Sequence, residues 1–186
     1  MEFIYQVHDA LSKDVCEEII NKYKTDDRKK PSQIEHGVVD HTIRKSTTLF
    51  ISDFPDWKEL DSIIYTSITQ ALKKYTDHIN SIIGLDPLLA NVRDEGYNIQ
   101  SMGKNEFYDW HCDDTKSDRR LISCIAYLND MDETDGGTTD FKVGCSIQPK
   151  QGSVLFFPSS WSYVHRGAIV KSDRVKYIIV TWMNTI

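Results

Sequence analysis

The most informative segment of this chain is Phe107-Tyr-Asp-Trp-His-Cys-Asp113. Its aromatic residues favour a β-strand, and side chains two positions apart on a strand point to the same face. We therefore expect His111 and Asp113 to lie side by side. His165, on a strand predicted at 163–170, would add a third ligand-type side chain if the two strands are neighbours.

Two histidines and a carboxylate that cover one face of a metal are the ligand set of non-haem Fe(II) oxygenases. Zinc is the alternative metal, because three protein ligands and a water also suit a catalytic zinc site. A His-x-Asp pattern is weak by itself, and a lone histidine near a turn is often an ordinary surface residue. A second group, His36, Asp40 and His41, could hold a metal but is more simply a solvated loop.

The chain has the pattern of helices followed by many short strands. Ser12 is a predicted N-cap, and a second helix is predicted from a cap at Asp53 or Asp56 to about Ile83, with Gly84 ending it. Strands are expected at 3–7, 44–52, 91–102, 107–113, 121–128, 138–141, 145–148, 153–157, 163–170 and 174–183. This pattern predicts a mostly β fold with flanking α-helices, namely a double-sheet jelly roll in one domain, residues 1–186.

Composition and charge exclude several classes of protein. The 186 residues suffice for one domain with a sizeable core. A net charge of -6 and a pI of about 5.5 argue against binding to nucleic acid or to anionic membranes. No apolar run approaches the roughly 20 residues of a membrane-spanning helix, and the N-terminus lacks the pattern of a signal peptide. The four cysteines are scattered, so we expect reduced thiols and a cytoplasmic location.

Residues 90–186 resemble the Fe(II)/2-oxoglutarate-dependent dioxygenases, and most closely the prolyl 4-hydroxylase-like branch with its small bacterial and phage members. The resemblance lies in five segments that occur in the family's order, namely Phe107–Asp113, Arg120–Asn129, Gly136–Phe141, Ile147–Phe157, and His165 followed by Lys176-Tyr177 and Trp182. It implies a double-stranded β-helix whose N-terminal helices pack on the major sheet. Residues 1–90 would form a supporting region and residues 91–186 the catalytic core.

The resemblance also implies roles for individual residues. The catalytic Fe(II) would be bound by His111, Asp113 and His165. The distal carboxylate of 2-oxoglutarate would be bound by Lys176, Tyr127 and Thr139. The substrate would be contacted by Tyr108, Arg120 and Trp182.

Two of these assignments have alternatives, and one further position departs from the family's pattern. Arg174 shares the strand parity of Lys176 and could replace it as the anchor of 2-oxoglutarate, because the segment after His165 is one residue longer than in many relatives. Arg120 could simply pair with the carboxylate of Asp113 or Asp114. Met102 stands where many relatives have a tyrosine that helps to hold the cosubstrate.

The implied activity is hydroxylation of an unactivated C–H bond, with a prolyl residue of a peptide or protein as the expected substrate. O₂ would be the oxidant and ascorbate a candidate reductant, and 2-oxoglutarate would be converted to succinate and CO₂. One alternative is a hydroxylase of a free amino acid or another small molecule. Another is a non-catalytic module that binds the metal and 2-oxoglutarate as a sensor. The oligomeric state is not predicted.

Overall fold

Two helices and thirteen strands form the described part of the chain. The structure is a computed structural model that describes residues 2–34, 37–84, 91–114 and 120–185. The helices are α1 (Lys13–Thr25) and α2 (Lys58–Ile83). The strands are β1 (Tyr5–Val7), β2 (Lys30–Pro31), β3 (Arg44–Lys45), β4 (Thr47–Phe50), β5 (Val92–Asp94), β6 (Asn98–Met102), β7 (Phe107–His111), β8 (Arg120–Tyr127), β9 (Thr139–Phe141), β10 (Cys145–Ile147), β11 (Val154–Pro158), β12 (His165–Gly167) and β13 (Lys176–Thr185).

The strands form two antiparallel sheets. The larger sheet has the order β1-β11-β8-β13-β6-β4-β2, and β5 also pairs with β13. The smaller sheet has the order β10-β9-β12-β7-β3. Strands distant in sequence are neighbours in both sheets, as expected of a jelly roll. The prediction of a mostly β, double-sheet fold is confirmed.

The larger sheet separates two apolar cores. On its outer side α1 and α2 pack against the sheet, with Ile19 and Ile64 in the same cluster as Ile179 of β13. On its inner side the two sheets share a second cluster, whose buried members are Ile125, Tyr127, Phe141, Leu155, Phe157, Ile178 and Val180. Successive residues of β13 therefore face opposite cores, as the alternation of side chains on a strand requires.

The helix ends agree with the predictions at two positions and differ at one. Ser12 caps α1 through a hydrogen bond from the backbone N–H of the third helical residue, and Gly84 ends α2 in the left-handed conformation. The cap predicted at Asp53 or Asp56 is wrong. A 3₁₀ turn at Pro55–Trp57 precedes α2, and no side chain caps the helix. The turn contains Asp56, so its carboxylate cannot lie at the cap.

Three of the predicted strands differ in extent from those observed. The strand expected at 44–52 is divided into β3, in the smaller sheet, and β4, in the larger sheet. The strand expected at 91–102 is divided into β5 and β6 by a turn in which Gly96 has a φ of 79°. The strand expected at 163–170 is shortened to β12, because a 3₁₀ turn at Trp161–Tyr163 ends just before His165. After that turn the chain enters the smaller sheet, and His165 is the first residue of the strand.

Two further sequence expectations concern the cysteines and the membrane. All four cysteines are free thiols, as expected. Within the described ranges, no helix has the length and apolar character needed to cross a membrane.

Gly152 joins the N-terminal segment to the larger sheet, and we expect Gly152→Ala to destabilise the protein. Its carbonyl accepts hydrogen bonds from the N–H groups of Ala10 and Leu11 at 2.8 and 3.0 Å. A Cβ at this residue, where φ is +78°, would clash with the carbonyl oxygen of Leu11. The substitution should lower the free energy of unfolding in urea by about 2–4 kcal/mol.

Gly144→Ala is the matched control for Gly152→Ala. Gly144 also has a positive φ, +92°, but nothing lies within 4 Å of the position that a Cβ would take. Only backbone strain of about 1–2 kcal/mol is therefore expected. Equal losses of stability in the two variants would contradict the proposed clash at Leu11.

Candidate metal centre and active site

The pairing of β7 with β12 brings the three predicted ligand residues together. His111 is the last residue of β7, and His165, the first residue of β12, lies directly opposite it. Asp113 follows β7 by two residues. One ligand atom from each side chain lies within 4.8 Å of the others. Each histidine Nε2 is 3.5 Å from a carboxylate oxygen of Asp113. This is the arrangement of a three-ligand metal site with open positions.

Both imidazole rings are oriented by backbone carbonyl groups. The Nδ1 of His111 is 2.8 Å from the carbonyl oxygen of Asp109, and that of His165 is 3.1 Å from that of Tyr163. A carbonyl oxygen can only accept, so each Nδ1 carries the proton and donates it. In the neutral ring, the Nε2 lone pair is then directed to the centre of the cluster.

The charge states at the cluster also suit a metal. Burial lowers the pKa of His165 to about 4, so its imidazole is neutral near neutral pH. Burial by itself would raise the pKa of Asp113, but the neighbouring histidines and a hydrogen bond from Ser123 outweigh it and lower the pKa. Neutral imidazoles and an ionised carboxylate are the forms that bind metals.

Tyr108 and Arg44 cover one face of His111. The ring of Tyr108 stacks on His111 with 3.6 Å between centroids, and the Arg44 guanidinium lies 4.3 Å over the Tyr108 ring. Strict alternation would put Tyr108 and His111 on opposite faces, since they are three residues apart. The register shifts here, because the two steps along β12 from His165 to Gly167 are paired with the three steps along β7 from His111 to Tyr108. Such a bulge turns both side chains inward.

A cavity of about 1000 Å³ contains this cluster. Most of the residues that the sequence implicates lie on its wall, namely His111, Asp113, His165, Tyr108, Arg120, Thr139, Lys176 and Trp182. Tyr127 does not line the cavity; it is fully buried, and its hydroxyl is 2.8 Å from Oγ1 of Thr139, which does line it. The volume is at the upper end of that of small-molecule sites.

Lys176 lies on the cavity wall, whereas Arg174 does not. Lys176 is 1% exposed, and burial lowers its pKa to about 8. None of the described residues forms an ion pair or a hydrogen bond with its ammonium group, which lies 5.7 Å from the ring of Tyr127. Arg174 is half exposed and pairs with Asp135 at 3.2 Å. Only Lys176 of the two is therefore positioned to bind a ligand in the cavity.

Arg120 pairs with a carboxylate that the sequence did not suggest. Its guanidinium contacts Glu95 at 2.7 Å and stacks on the Trp182 ring at 3.6 Å. The alternative of a pair with the carboxylate of Asp113 or Asp114 is wrong, because Arg120 reaches only the backbone oxygen of Asp113, at 3.5 Å. The indole N–H of Trp182 is buried and has no hydrogen-bond partner among the described residues.

Three residues of the site were missed by the sequence analysis. Arg44 and Glu95 contact side chains of the cavity wall, and Ser123 donates a hydrogen bond of 2.5 Å to Oδ2 of Asp113. The signal for Ser123 was available, because it is a polar residue on the same face of β8 as Ile125 and Tyr127. Nothing in the local pattern around Glu95 indicated a partner for Arg120.

The second candidate metal group is not supported. His36 lies outside the described residues, and Asp40 accepts hydrogen bonds from the N–H and hydroxyl of Thr42. Within the described ranges, His111, Asp113 and His165 are the one group of potential ligands that come together.

Comparisons with known proteins agree with this geometry. Residues 97–184 match the family model of the 2OG-Fe(II) oxygenase superfamily. No curated protein matches the chain significantly. Among solved structures, the viral collagen prolyl hydroxylase of Paramecium Bursaria Chlorella virus-1, in its 2OG complex, is 21% identical with a TM-score of 0.68, over 99% of this chain and 96% of that one.

Two further solved structures have the same fold. A Pseudomonas putida prolyl-4-hydroxylase is 21% identical with a TM-score of 0.71, over 99% of this chain and 94% of the other. A Trichoplax adhaerens prolyl hydroxylase, in complex with a peptide fragment of the hypoxia inducible factor oxygen degradation domain, is 16% identical with a TM-score of 0.79, over 100% and 84%. At these identities the likeness concerns the fold.

The resemblance inferred from the sequence is therefore confirmed. The fold is that of the solved prolyl hydroxylases, and the family match together with the His-Asp-His cluster supports a 2-oxoglutarate-dependent dioxygenase. Residues 97–184 match the 2OG-Fe(II) oxygenase superfamily, and the fold of the chain is of the prolyl hydroxylase type.

We expect His165→Ala to lower the affinity for a divalent metal by more than about 100-fold. Loss of a residue that only orients a metal ligand costs roughly 10–100-fold in affinity, and loss of the ligand itself should cost more. Titration of the protein with Co(II) in a calorimeter measures this. His41→Ala, in an exposed loop, is the control and should bind Co(II) like the wild type. Unchanged binding in His165→Ala would show that this histidine is not a ligand.

Proposed function

We propose that this protein is an Fe(II)- and 2-oxoglutarate-dependent dioxygenase that hydroxylates a prolyl residue in a peptide or protein. One observation carries the proposal, namely that His111, Asp113 and His165 share a single cavity with Lys176. A three-ligand metal site and a buried ammonium group without an ion pair or a hydrogen bond among the described residues have few other reasons to lie in one space. Together they suit the two ends of a 2-oxo dicarboxylate, because one end would bind the metal and the other the ammonium group.

The metal would be held by His111, Asp113 and His165. Their neutral imidazoles and ionised carboxylate suit Fe(II), and three protein ligands leave positions for the cosubstrate and O₂. Bound Fe(II), 2-oxoglutarate and O₂ supply the oxidising power for the conversion of C–H to C–OH, as 2-oxoglutarate becomes succinate and CO₂. The protein's part is to orient the ligands, to shield the site from water and to position the substrate.

The distal carboxylate of 2-oxoglutarate would be bound by Lys176, with the hydroxyl groups of Thr139 and Tyr127. A charge-assisted hydrogen bond to a buried ammonium is strong, and the carboxylate would supply the direct ion pair that no described residue forms with Lys176. Met102 and Ile178 line the same part of the cavity with apolar groups. Those walls exclude water and so strengthen the attraction between the two charges.

The substrate would occupy the side of the cavity formed by Tyr108, Arg120 and Trp182. The side chain of Trp182 lines this side of the cavity, and its ring is covered by the guanidinium of Arg120 at 3.6 Å. Arg44 adds a guanidinium whose pKa is lowered by burial. A peptide is favoured over a free amino acid by the size of the cavity and by the peptide complex of the Trichoplax adhaerens relative.

Three wider statements belong to the same proposal. The whole chain, residues 1–186, would form one oxygenase domain, with the N-terminal helices supporting the larger sheet. The cytoplasm is the proposed compartment, because all four cysteines are free. The net charge of -6 argues against a nucleic-acid partner.

We expect the affinity of the Co(II)-loaded protein for 2-oxoglutarate to be constant below the lowered pKa of Lys176, about 8, and to weaken above it. The ammonium loses its proton as the pH rises through this value, so affinity should fall by up to about tenfold per pH unit. Calorimetric titration between pH 7 and about pH 10 measures the profile.

Two variants of Lys176 complete this experiment. Lys176→Arg should remove the decline in affinity for 2-oxoglutarate, because a guanidinium stays protonated throughout the pH range. The same variant is the control for hydrolysis of Co(II), which would affect both proteins alike. Lys176→Met should abolish measurable binding of 2-oxoglutarate and leave Co(II) binding intact. A flat profile in the wild type would rule out Lys176 as the anchor.

The activity itself is tested by incubating the Fe(II)-loaded protein with 2-oxoglutarate, ascorbate and a set of proline-containing peptides. We expect succinate and a mass increase of one oxygen atom on the peptide, both absent in His165→Ala. Oxygen transfer to free amino acids but to no peptide would favour the small-molecule alternative. Binding of metal and 2-oxoglutarate without succinate above background would favour the sensor alternative.

A further inference from the structure

We propose that Ser123 and Ser159 form a positioning pair that orients the carboxylate of Asp113 and leaves one of its oxygens to the metal. This inference rests on the proposed function, because it concerns the proposed ligand Asp113. The pair is buried, since each serine is 1% exposed. The Ser123 hydroxyl lies 2.5 Å from Oδ2 of Asp113, and the two serine hydroxyls are 2.8 Å apart.

Asp113 needs such support because no strand fixes it. His111 ends β7, and Asp113 lies two residues beyond, next to residues 115–119, which are outside the described ranges. The two histidines, by contrast, lie opposite each other in a sheet. The orientation of the carboxylate is therefore set by side-chain contacts, and Ser123 is the hydroxyl group that contacts it.

Ser159 connects the pair to three segments of the backbone. Its N–H donates to the carbonyl of Leu121 at 3.1 Å, and its carbonyl accepts from the N–H of Asp114 at 2.9 Å. It also follows β11 and precedes the turn that leads to His165. Its side chain therefore has a fixed position relative to the segments that carry both Asp113 and His165.

The direction of the hydrogen bonds follows from the chemistry of the groups. An ionised carboxylate can only accept, so the single hydroxyl proton of Ser123 is donated to Asp113. Ser159 must then donate its own proton to the oxygen of Ser123. The chain runs from Ser159 through Ser123 to Oδ2 of Asp113, and in a buried setting such chains strengthen each bond.

The consequence concerns the two oxygens of Asp113. Oδ2 is engaged by Ser123, whereas Oδ1 receives no hydrogen bond from a hydroxyl or amide group of the described residues. Oδ1 lies 3.5 Å from Nε2 of His111 and Oδ2 lies 3.5 Å from Nε2 of His165, so both oxygens face the cluster, but only Oδ2 also accepts the hydrogen bond from Ser123. A carboxylate held in this way would bind a metal through one oxygen, which preserves the open positions that a second bound oxygen would reduce.

The experiment compares Co(II) binding and the visible absorption spectrum of bound Co(II) in the wild type and in Ser123→Ala. We expect the dissociation constant of Co(II) to rise about 10-fold or more, with a changed spectrum, because the carboxylate is free to rotate and to bind through both oxygens. Ser123→Thr restores a hydroxyl and should recover most of the affinity. Ser159→Ala, which leaves the Ser123 hydroxyl in place, should show a smaller change in the same direction.

Ser153→Ala is the matched control for loss of a buried serine. Ser153 is 0% exposed and its hydroxyl bonds the carbonyl of Lys150 at 2.7 Å, in the turn before β11 rather than at the cluster. It should lower stability and leave Co(II) affinity unchanged. Unchanged Co(II) affinity and an unchanged spectrum in Ser123→Ala would overturn the inference. If Ser123→Ala does not fold, unchanged affinity and spectrum in Ser159→Ala would overturn it instead. Absence of Co(II) binding in the wild type would instead overturn the proposed function.

Discussion

The antiparallel pairing of β7 with β12 is the interaction on which the site depends. It places His111 and His165 directly opposite each other, at the short cross-strand distance that sheet geometry imposes. β12 is also paired with β9 on its other side, so His165 lies on an inner strand of the smaller sheet. Phe141 and Phe157 flank its ring at centroid distances of 5.7 and 4.6 Å. The imidazoles are therefore rigidly placed before any metal binds.

Two irregularities in the sheets add residues to the cavity that regular strands would direct elsewhere. The bulge in β7 turns Tyr108 to the same side as His111. A second register shift between β8 and β13, at Met183, brings Arg120 to the side of Trp182. In a regular strand Arg120 would share the outer face of Ile122, which packs toward the helices. Both bulges lie at the rim of the sheets beside the site, where bulges often redirect functional side chains.

The buried cations of the cavity fall into two classes. Arg120 has its counter-charge in Glu95, which also accepts a hydrogen bond from Asn184 at 2.9 Å. This group is electrostatically complete and holds Trp182 in place. Lys176 forms no ion pair or hydrogen bond in the described part of the chain, and burial, only partly offset by the charge of Asp140, lowers its pKa. The proposed role of Lys176 rests on this difference, because a bound carboxylate would supply the ion pair that Arg120 already has.

Much of this architecture was predictable from short-range patterns. The alternation along β13 placed Lys176, Ile178 and Val180 on one face, and Gly84 marked the end of α2. These features depend on backbone geometry that neighbouring residues set by themselves. The start of α2 was predicted wrongly, because Asp56 belongs to a 3₁₀ turn that directly precedes the helix. The pairing of Arg120 with Glu95 was not predicted, because a contact 25 residues apart leaves no periodic signal.

The sequence by itself determined the fold class and the residue types of the site, because strand periodicity and the order of the motifs are local properties of the chain. It named His111, Asp113 and His165 as candidates but could not show that they meet. Only the tertiary structure decided that, since β7 and β12 are brought together by sheet pairing over more than 50 residues. It likewise decided between Lys176 and Arg174, because burial, and not parity, distinguishes them. The hydroxyl pair behind Asp113 also exists only in the folded chain.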